Sequence, residues 1–161
     1  MTDRDFPDHE RSWHDNLIYG VHLATPDPDA GVWRSDLVLD IDHIVEWICG
    51  TDGGVQFRVA PATLVFHDVT DLKISADCSG GEHRYTLNEL SINDITRQPA
   101  PAFGVDASRA YFNWRIELNS PQDGEIAFGA SGYTLTLRAD PVLLDDQRLP
   151  PTGRPHLMQS I

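Results

Sequence analysis

The sequence predicts an all-β protein, an antiparallel sandwich or open barrel of about seven to eight strands with little helix. Three observations lead to this fold class. Apolar residues recur at every second position in several segments, which is the period of a strand with one buried face. Glycine, proline and aspartate interrupt these segments at short intervals, as they do in all-β domains. The spacing of three and four residues that marks an amphipathic helix is hard to find.

Two segments show the strand period most clearly. Residues 37–47 read LVLDIDHIVEW, in which Leu37, Leu39 and Ile41 alternate with more polar residues. Residues 112–118 read FNWRIEL, with Phe112 and Trp114 on the apolar side. Each segment therefore predicts a strand with one buried and one wetted face.

The remaining elements follow from turn residues and shorter apolar runs. SPQDG (120–124) predicts a tight turn into a partner strand that begins at Ile126 and resumes at Tyr133, with a kink or bulge at Gly129 and Gly132. Further strands are predicted at 17–23, 55–59, 63–67, 72–75 and 85–92. Residues 142–147 predict a short helical turn, and 25–31 and 96–108 predict loops.

The length of 161 residues predicts a single domain with a sizeable core. We expect a flexible leader at 1–12, one β domain at 13–148 and a flexible, proline-containing tail at 149–161. The side chains expected in the core lie on the apolar side of their strands: Trp47, Phe57, Phe66, Trp114, Ile116, Phe128 and Leu137.

Charge and cysteine usage restrict the partners and the compartment. The net charge of −13, from 25 acidic and 12 basic residues, disfavours nucleic acid and anionic lipid, whose phosphates require clustered Lys and Arg. It is compatible with a basic protein partner, and also with solubility alone. Cys49 and Cys78 lie far apart, which favours a reducing cytoplasm over a disulfide framework. No signal-peptide pattern or long apolar run is present, so no membrane association is predicted.

The stretch FHDVTDL (66–72) is a candidate functional cluster with two interpretations. His67 and Asp71 converge on one ligand if the intervening residues form a turn. However, His67 and Asp68 point to opposite faces of a strand, and two ligands do not complete a zinc site. We therefore predict that Asp68 and Asp71 cap a turn by accepting hydrogen bonds from backbone N–H groups, with no metal or cofactor.

Asp40, Asp42 and Glu46 form an acidic row on one face of the 37–47 strand, where residues two positions apart lie about 7 Å from each other. That spacing suits paired carboxylates in glycosidase-type acid–base catalysis, and it equally suits a solvated strand face. The alternation places His43 on the apolar face, where a hydrogen-bonded core histidine is expected.

His14 and Asp15, in WHDN, complete the set of candidate residues. They form an acid–base group with His67 if the fold brings their strand ends together. WHDNLIYGV (13–21) and FHDVTDLKI (66–74) also share an aromatic–His–Asp start, which chance or a common turn explains. The chain lacks GxSxG, GxxxxGK[ST] and GxGxxG, so no catalytic residue is assigned.

Several segments resemble a set of uncharacterised bacterial proteins of about this length. These segments are WHDNLIYGVHL, WRSDLVLDIDHIVEW, APATLVFHDVTDLKI, WRIELNSPQDGEIAFGASGYTLTLR and DPVLLDDQRL. More loosely, the chain is similar to a family of immunity proteins from bacterial polymorphic-toxin systems. The residues that carry this similarity are Trp13, His14, Asp15, Leu64, Phe66, Val69, Asp71 and Leu72.

The resemblance implies a small β-rich protein that has no catalytic residues and neutralises a cognate toxin. Two functions from different classes are therefore open. The first is a non-catalytic cytoplasmic protein that binds another protein, basic or toxin-like. The alternative is a metal-dependent or carboxylate-based small-molecule enzyme or binder that uses His14, Asp15, His67 and Asp71.

Overall fold

The computed structural model describes residues 13–79, 82–83, 89–101 and 108–155. Nine strands form one antiparallel sheet, which confirms the all-β prediction. They are β1 (Leu17–Ala24), β2 (Asp36–Cys49), β3 (Val55–His67), β4 (Thr70–Ser75), β5 (Leu90–Ala100), β6 (Tyr111–Ser120), β7 (Glu125–Ala130), β8 (Gly132–Leu137) and β9 (Val142–Leu144). The helical segments in these ranges are two three-residue 3-10 turns, Pro28–Ala30 and Pro151–Gly153, and none is long or apolar enough to cross a membrane.

The strands are hydrogen-bonded in the order β4-β7-β6-β5-β1-β2-β3-β8, and β9 pairs with β3 beyond the end of β8. The β6–β7 hairpin and the break at Ser131 between β7 and β8 confirm the predicted turn and kink. Only residues 68–69 separate β3 from β4, and each of these two strands pairs with one strand of the β7/β8 pair. Both connections therefore lie at one corner of the sheet.

The sheet folds over at this corner, so that its two halves enclose one core. Phe66 on β3 packs edge-on against Trp114 on β6 and Phe128 on β7, with ring centroids 5.2 and 4.7 Å apart. No ladder joins β3 to β6 or β7, so these contacts lie across the core rather than along the sheet. Aromatic pairs at this distance and angle contribute beyond the area that they bury.

Most of the predicted core residues are buried, namely Phe57, Phe66, Trp114, Ile116 and Phe128. Trp47 is only half-buried, and the prediction for Leu137 is wrong, because 43% of that residue is exposed. Leu137 is the last residue of β8, the strand at one end of the hydrogen-bonded order. Alternation identifies the side of a strand but does not indicate whether another layer covers it.

A bulge in β2 explains the position of Trp47. The register shifts between Ile44 and Glu46, which leaves Val45 without a partner in the ladder. Trp47 therefore lies on the face opposite Ile41 and packs edge-on against Phe57, with ring centroids 4.9 Å apart. A bulge of one residue reverses the alternation that follows it.

Some predicted boundaries are corrected by the sheet. The strands expected at 55–59 and 63–67 are one strand, β3, which continues through Pro61. Pro61 lies where the outer neighbour of β3 changes from β9 to β8, so its missing N–H breaks no ladder bond there. The helical turn expected at 142–147 is wrong, because Val142–Leu144 is a strand. β5 includes residues 96–100 of the loop that was expected at 96–108. Residues 84–88, at the start of the strand expected at 85–92, and residues 102–107 of the loop lie outside the described residues.

The predicted domain boundary at residue 149 is also wrong. Leu149 is buried in a second apolar cluster with Ile44, Phe57 and Val59, and residues up to 155 are part of the described fold. This segment covers the face of β2 that lies away from the main core. The expected leader at 1–12 and the last part of the expected tail, 156–161, lie outside the described residues.

Candidate functional site

The candidate stretch FHDVTDL forms the corner at which β3 ends and β4 begins. Asp68 and Asp71 have positive φ values of 58° and 52°, in the left-handed region that aspartate tolerates better than most residues. Asp15 has a φ of 64°, so the two aromatic–His–Asp segments share a backbone turn as well as a sequence pattern. The similarity between these segments is therefore conformational.

Asp36, the first residue of β2, holds the corner from outside the stretch. Its Oδ1 accepts a hydrogen bond from the backbone N–H of Asp68 at 3.2 Å. Its Oδ2 lies 3.3 Å from His67 Nδ1, while His67 Nε2 lies 2.8 Å from the hydroxyl of Thr134. Both ring nitrogens of His67 are thus engaged by side chains of the sheet.

The prediction that Asp68 and Asp71 accept bonds from turn N–H groups is wrong within the described residues. The Asp68 carboxylate accepts a bond from the Ser131 hydroxyl at 2.6 Å and pairs with the Arg34 guanidinium at 3.0 Å. The Asp71 carboxylate accepts a bond from the Thr70 hydroxyl at 3.0 Å. The cap was expected from neighbouring residues, but the sheet register supplies it from Asp36, 32 positions away in sequence.

Tyr111 supports the same corner from β6. Its hydroxyl donates to the backbone carbonyl of Asp68 at 2.9 Å and lies 2.9 Å from the hydroxyl of Thr70. Burial, as the largest cause, raises the pKa of Tyr111 above its usual value, so the phenol stays protonated at neutral pH. The corner is therefore fixed by backbone and side-chain bonds from β2, β6 and β8.

These bonds also fix one arm of the loop between β1 and β2, residues 25–35, which we call the Trp33 loop. The backbone carbonyl of Ser35 accepts the N–H of Val69 at 2.7 Å, and Arg34 pairs with Asp68. The other arm closes on itself, because Asp27 and Val32 form an isolated bridge and Asp27 also caps the N–H of Ala30 at 3.1 Å. Both arms of the loop are thus held in place.

Trp33 lies between the two arms and is 75% exposed, the most exposed large apolar side chain among the described residues. Val32 beside it and Leu23 near the end of β1 are also about half exposed. Exposed aromatic residues on a supported loop are typical of protein-binding surfaces, in which tryptophan is strongly enriched among the residues that carry the binding energy. Sequence analysis did not select Trp33.

The other candidate pair, His14 and Asp15, lies beside the middle of β2, away from the β3–β4 corner. Asn16, next to Asp15, accepts the backbone N–H of Ile44 at 2.7 Å, whereas Asp36 contacts His67. Ile44 is eight positions after Asp36, which corresponds to about 26 Å along a strand. The group of His14, Asp15, His67 and Asp71 is therefore two separate sites, and the expected acid–base set does not assemble.

Asp15 borders an open cleft of about 580 Å³ that is also lined by Glu89, Asn119, Asp146 and Arg148. The charged side chains there already have partners. Asp15 accepts bonds from Asn119 at 2.7 Å and from Gln147 at 2.8 Å, and His14 Nδ1 lies 3.0 Å from its carboxylate. Arg148 pairs with Glu89. These contacts tie the start of β1 to β6 and to residues 146–148.

The expectation of one wetted face that carries Asp40, Asp42 and Glu46 is wrong, because the bulge at Val45 places Glu46 on the opposite face of β2 from the two aspartates. Asp42 has no exposed surface and Asp40 is almost fully buried, while Glu46 is exposed and pairs with Arg58 at 2.9 Å. The C-terminal segment covers the face of β2 that carries Asp40 and Asp42. Alternation placed the aspartates correctly on the side away from Ile41 but did not reveal that cover.

Each buried aspartate has its own arginine. Asp42 receives Arg154 Nη2 at 2.6 Å and the backbone N–H of Leu149 at 3.0 Å, and Asp40 lies 3.4 Å from Arg138 Nη1. Tyr19 packs beside this row, where burial, followed by the two carboxylates, raises its pKa to about 12. Asp42 therefore attaches the C-terminal segment to β2, and neither Asp40 nor Asp42 is available as a solvent-facing acid or base.

His43 is a hydrogen-bonded residue at the edge of the core, in line with its predicted position. Its Nδ1 lies 3.2 Å from the Asn16 side-chain carbonyl, and burial lowers its pKa to about 4. Within the described parts of the chain, no three His, Cys, Asp or Glu side chains are grouped as they are around a metal ion. The described titratable residues thus serve mainly to connect strands.

Comparison with family models, with curated proteins and with solved structures found no match to this chain. The similarity to immunity proteins therefore stays a prediction.

The site residues that sequence analysis missed are Trp33, Arg34 and Asp36. One signal was present in the sequence: a tryptophan within TPDPDAGVWRS, a stretch whose proline, glycine and aspartate residues predict a solvent-exposed loop. A large apolar residue in such a loop has no core to enter, and an exposed apolar residue of this size is a typical sign of binding.

Proposed function

We propose that this chain is a non-catalytic protein that binds another protein through the Trp33 loop. The observation that supports this proposal most is the exposure of Trp33 on a loop of which one arm is fixed by the β3–β4 corner and the other by bonds within the loop. A fixed loop loses little conformational entropy on binding, which improves affinity for a given contact area. FHDVTDL then has a positioning role and performs no chemistry of its own.

The wider expectations from the sequence are part of this proposal. We place the protein in a reducing bacterial cytoplasm, where Cys49 and Cys78, both free, need no partner. An immunity-like role, in which the partner is a toxin, is the form of protein binding that the sequence resemblance favours. The enzyme alternative lacks its expected geometry, because His67 and Asp71 lie near the start of β2 whereas His14 and Asp15 lie beside its middle.

The proposal is tested by site-specific photo-crosslinking in the cells that natively express the chain. Benzoylphenylalanine replaces Val32, next to Trp33, or in the control Leu143, an equally exposed residue on β9 near the other end of β2. We expect one protein to crosslink at position 32 and not at position 143. The captured protein is then purified, and its affinity for the full chain is measured by calorimetry.

With purified components, Trp33→Ala should weaken binding by at least about 30-fold, the size expected of a central interface tryptophan. Trp33 is too exposed for this change to alter folding, so the loss would report the interface. The proposal is wrong if no protein crosslinks at position 32, or if Trp33→Ala binds the captured protein as tightly as the unchanged chain.

A further inference from the structure

The charges around Trp33 restrict the chemistry of its partner. Asp27 and Asp29 are exposed on the loop, and the only contact of either carboxylate within the described residues is the cap from Asp27 to Ala30. Arg34 is the only basic residue of the Trp33 loop, and it pairs at 3.0 Å with Asp68, whose carboxylate also lies 4.0 Å from Arg109. The loop therefore presents two unbalanced carboxylates and one exposed indole on a chain whose net charge is −13.

We propose that the partner docks a basic surface patch on the Trp33 loop, with an arginine stacked on the Trp33 ring and neighbouring basic groups paired with Asp27 and Asp29. This inference rests on the proposed function and specifies the partner's chemistry. Guanidinium groups stack favourably on the face of tryptophan. They also form short, charge-assisted bonds with carboxylates.

Other classes of occupant do not match these charges. Phosphate groups of nucleic acids or anionic lipids would approach a surface of the same sign, which raises the free energy of association. A second copy of the chain would bring an identical acidic loop, and like charges facing each other across an interface are unfavourable. A basic protein surface is the occupant for which both the indole and the carboxylates contribute attraction.

The inference is tested with the captured partner and the double variant Asp27→Asn/Asp29→Asn. Asparagine at position 27 retains the side-chain oxygen that caps Ala30, so the loop is preserved while its charge is removed. At 50 mM NaCl we expect the double variant to bind about 5- to 50-fold more weakly, mainly through slower association. At 500 mM NaCl the difference should fall below about twofold, because salt screens exposed charges.

The matched control is Asp140→Asn/Asp146→Asn, which changes the net charge equally at exposed positions on either side of β9. We expect it to bind within about twofold of the unchanged chain at both salt concentrations, since its charges lie away from the loop. A similar loss in both double variants would mean that net charge alone drives association, which would overturn the docking geometry.

The partner itself provides the remaining outcomes. A captured protein with a net positive charge, or with a basic patch that crosslinks to position 32, supports the inference. A neutral or acidic captured surface, a second copy of this chain, or equal binding of Asp27→Asn/Asp29→Asn at 50 mM NaCl overturns it. If Trp33→Ala still weakens binding to such a partner, the proposed function stands while this inference fails. If Trp33→Ala has no effect on binding, the proposed function fails.

Discussion

Asp42 is a fully buried carboxylate that pairs with Arg154, so the stability of the fold depends on this arginine. Replacing Arg154 with alanine removes the ion-pair partner of a buried carboxylate, which keeps the Leu149 N–H as its hydrogen-bond donor. We expect the free energy of unfolding to fall by about 3–5 kcal/mol, the usual cost of breaking one side of a buried ion pair. Urea unfolding followed by fluorescence measures this change.

Arg58 provides the matched control. It pairs at 2.9 Å with Glu46, which lies on the same strand as Asp42 but is exposed. Arg58→Ala should lower the unfolding free energy by only about 0–1 kcal/mol. If Arg154→Ala is as mild as Arg58→Ala, the C-terminal segment does not cover β2 in solution as described.

His43 makes the stability of the fold depend on pH. Its pKa is about 4 in the folded chain and about 6.5 when exposed, so between these values the unfolded chain binds a proton that the folded chain does not. Burial of the neutral His43 ring therefore costs no protonation energy above about pH 6.5, and the free energy of unfolding falls as the pH falls toward 4. The loss should reach roughly 2–3 kcal/mol at about 1.4 kcal/mol per pH unit.

The measurement compares the unchanged chain with His43→Gln by urea unfolding at pH 7 and pH 4.5. Other groups titrate equally in both proteins, so the difference between them isolates His43. We expect the unchanged chain to lose more stability than His43→Gln over this range. Equal losses would show that His43 is not buried in its neutral form.

At the scale of elements, the β3–β4 corner tests how closely the neighbouring strands β4, β7 and β6 approach one another. A Cβ at Gly129 would lie 2.7 Å from Thr70 Oγ1 and 2.8 Å from the Tyr111 ring, whereas a Cβ at Gly132 would meet no atom within 4 Å. We expect Gly129→Ala to destabilise by about 1–3 kcal/mol through overpacking. Gly132→Ala, three positions away, should change stability by less than about 0.5 kcal/mol.

Thermal unfolding of both variants gives the comparison directly. If Gly129→Ala and Gly132→Ala unfold at the same temperature, Tyr111 does not pack against β7, and the corner is not held as described.

The strands themselves were largely predictable, because alternation follows from local sequence. Residues 37–47 and 112–118 lie within β2 and β6, and the turn at 120–124 joins β6 to β7. The bulge at Val45 could not be predicted, since it depends on pairing with β3 rather than on β2 alone. The strand at 142–144 was mistaken for helix because three residues are too few to show a period.

For the molecule as a whole, the sequence identified the residues of the corner but not their purpose. His67, Asp68 and Asp71 were selected because histidine and aspartate are chemically capable, and a turn was expected there. The partners of His67 and Asp68, Asp36 and Ser131, are distant in sequence and are brought there by the register of the sheet, whereas Asp71 accepts a bond from its neighbour Thr70. The burial of Asp42 was equally hidden, because it depends on the C-terminal segment.

Two tryptophans test the assignment of inside and outside across the whole fold. Trp114 is almost fully buried, so Trp114→Ala should lower the unfolding free energy by about 3–5 kcal/mol. Trp33→Ala should change it by less than about 0.5 kcal/mol, because Trp33 lies mostly in solvent. A loss under about 1 kcal/mol for Trp114→Ala would mean that its face of β6 has been wrongly assigned.

Circular dichroism tests the all-β fold itself, and it should show well under about a quarter helix.

The most direct test of the central claim is amide hydrogen exchange of the chain with and without its captured protein partner. The claim is that the Trp33 loop, held by the β3–β4 corner, is the working surface. We predict slower exchange on binding in peptides that cover residues 30–36 and 66–70, and unchanged exchange in peptides that cover residues 142–149. Slower exchange around the Asp15 cleft, with no change at residues 30–36, would contradict the account.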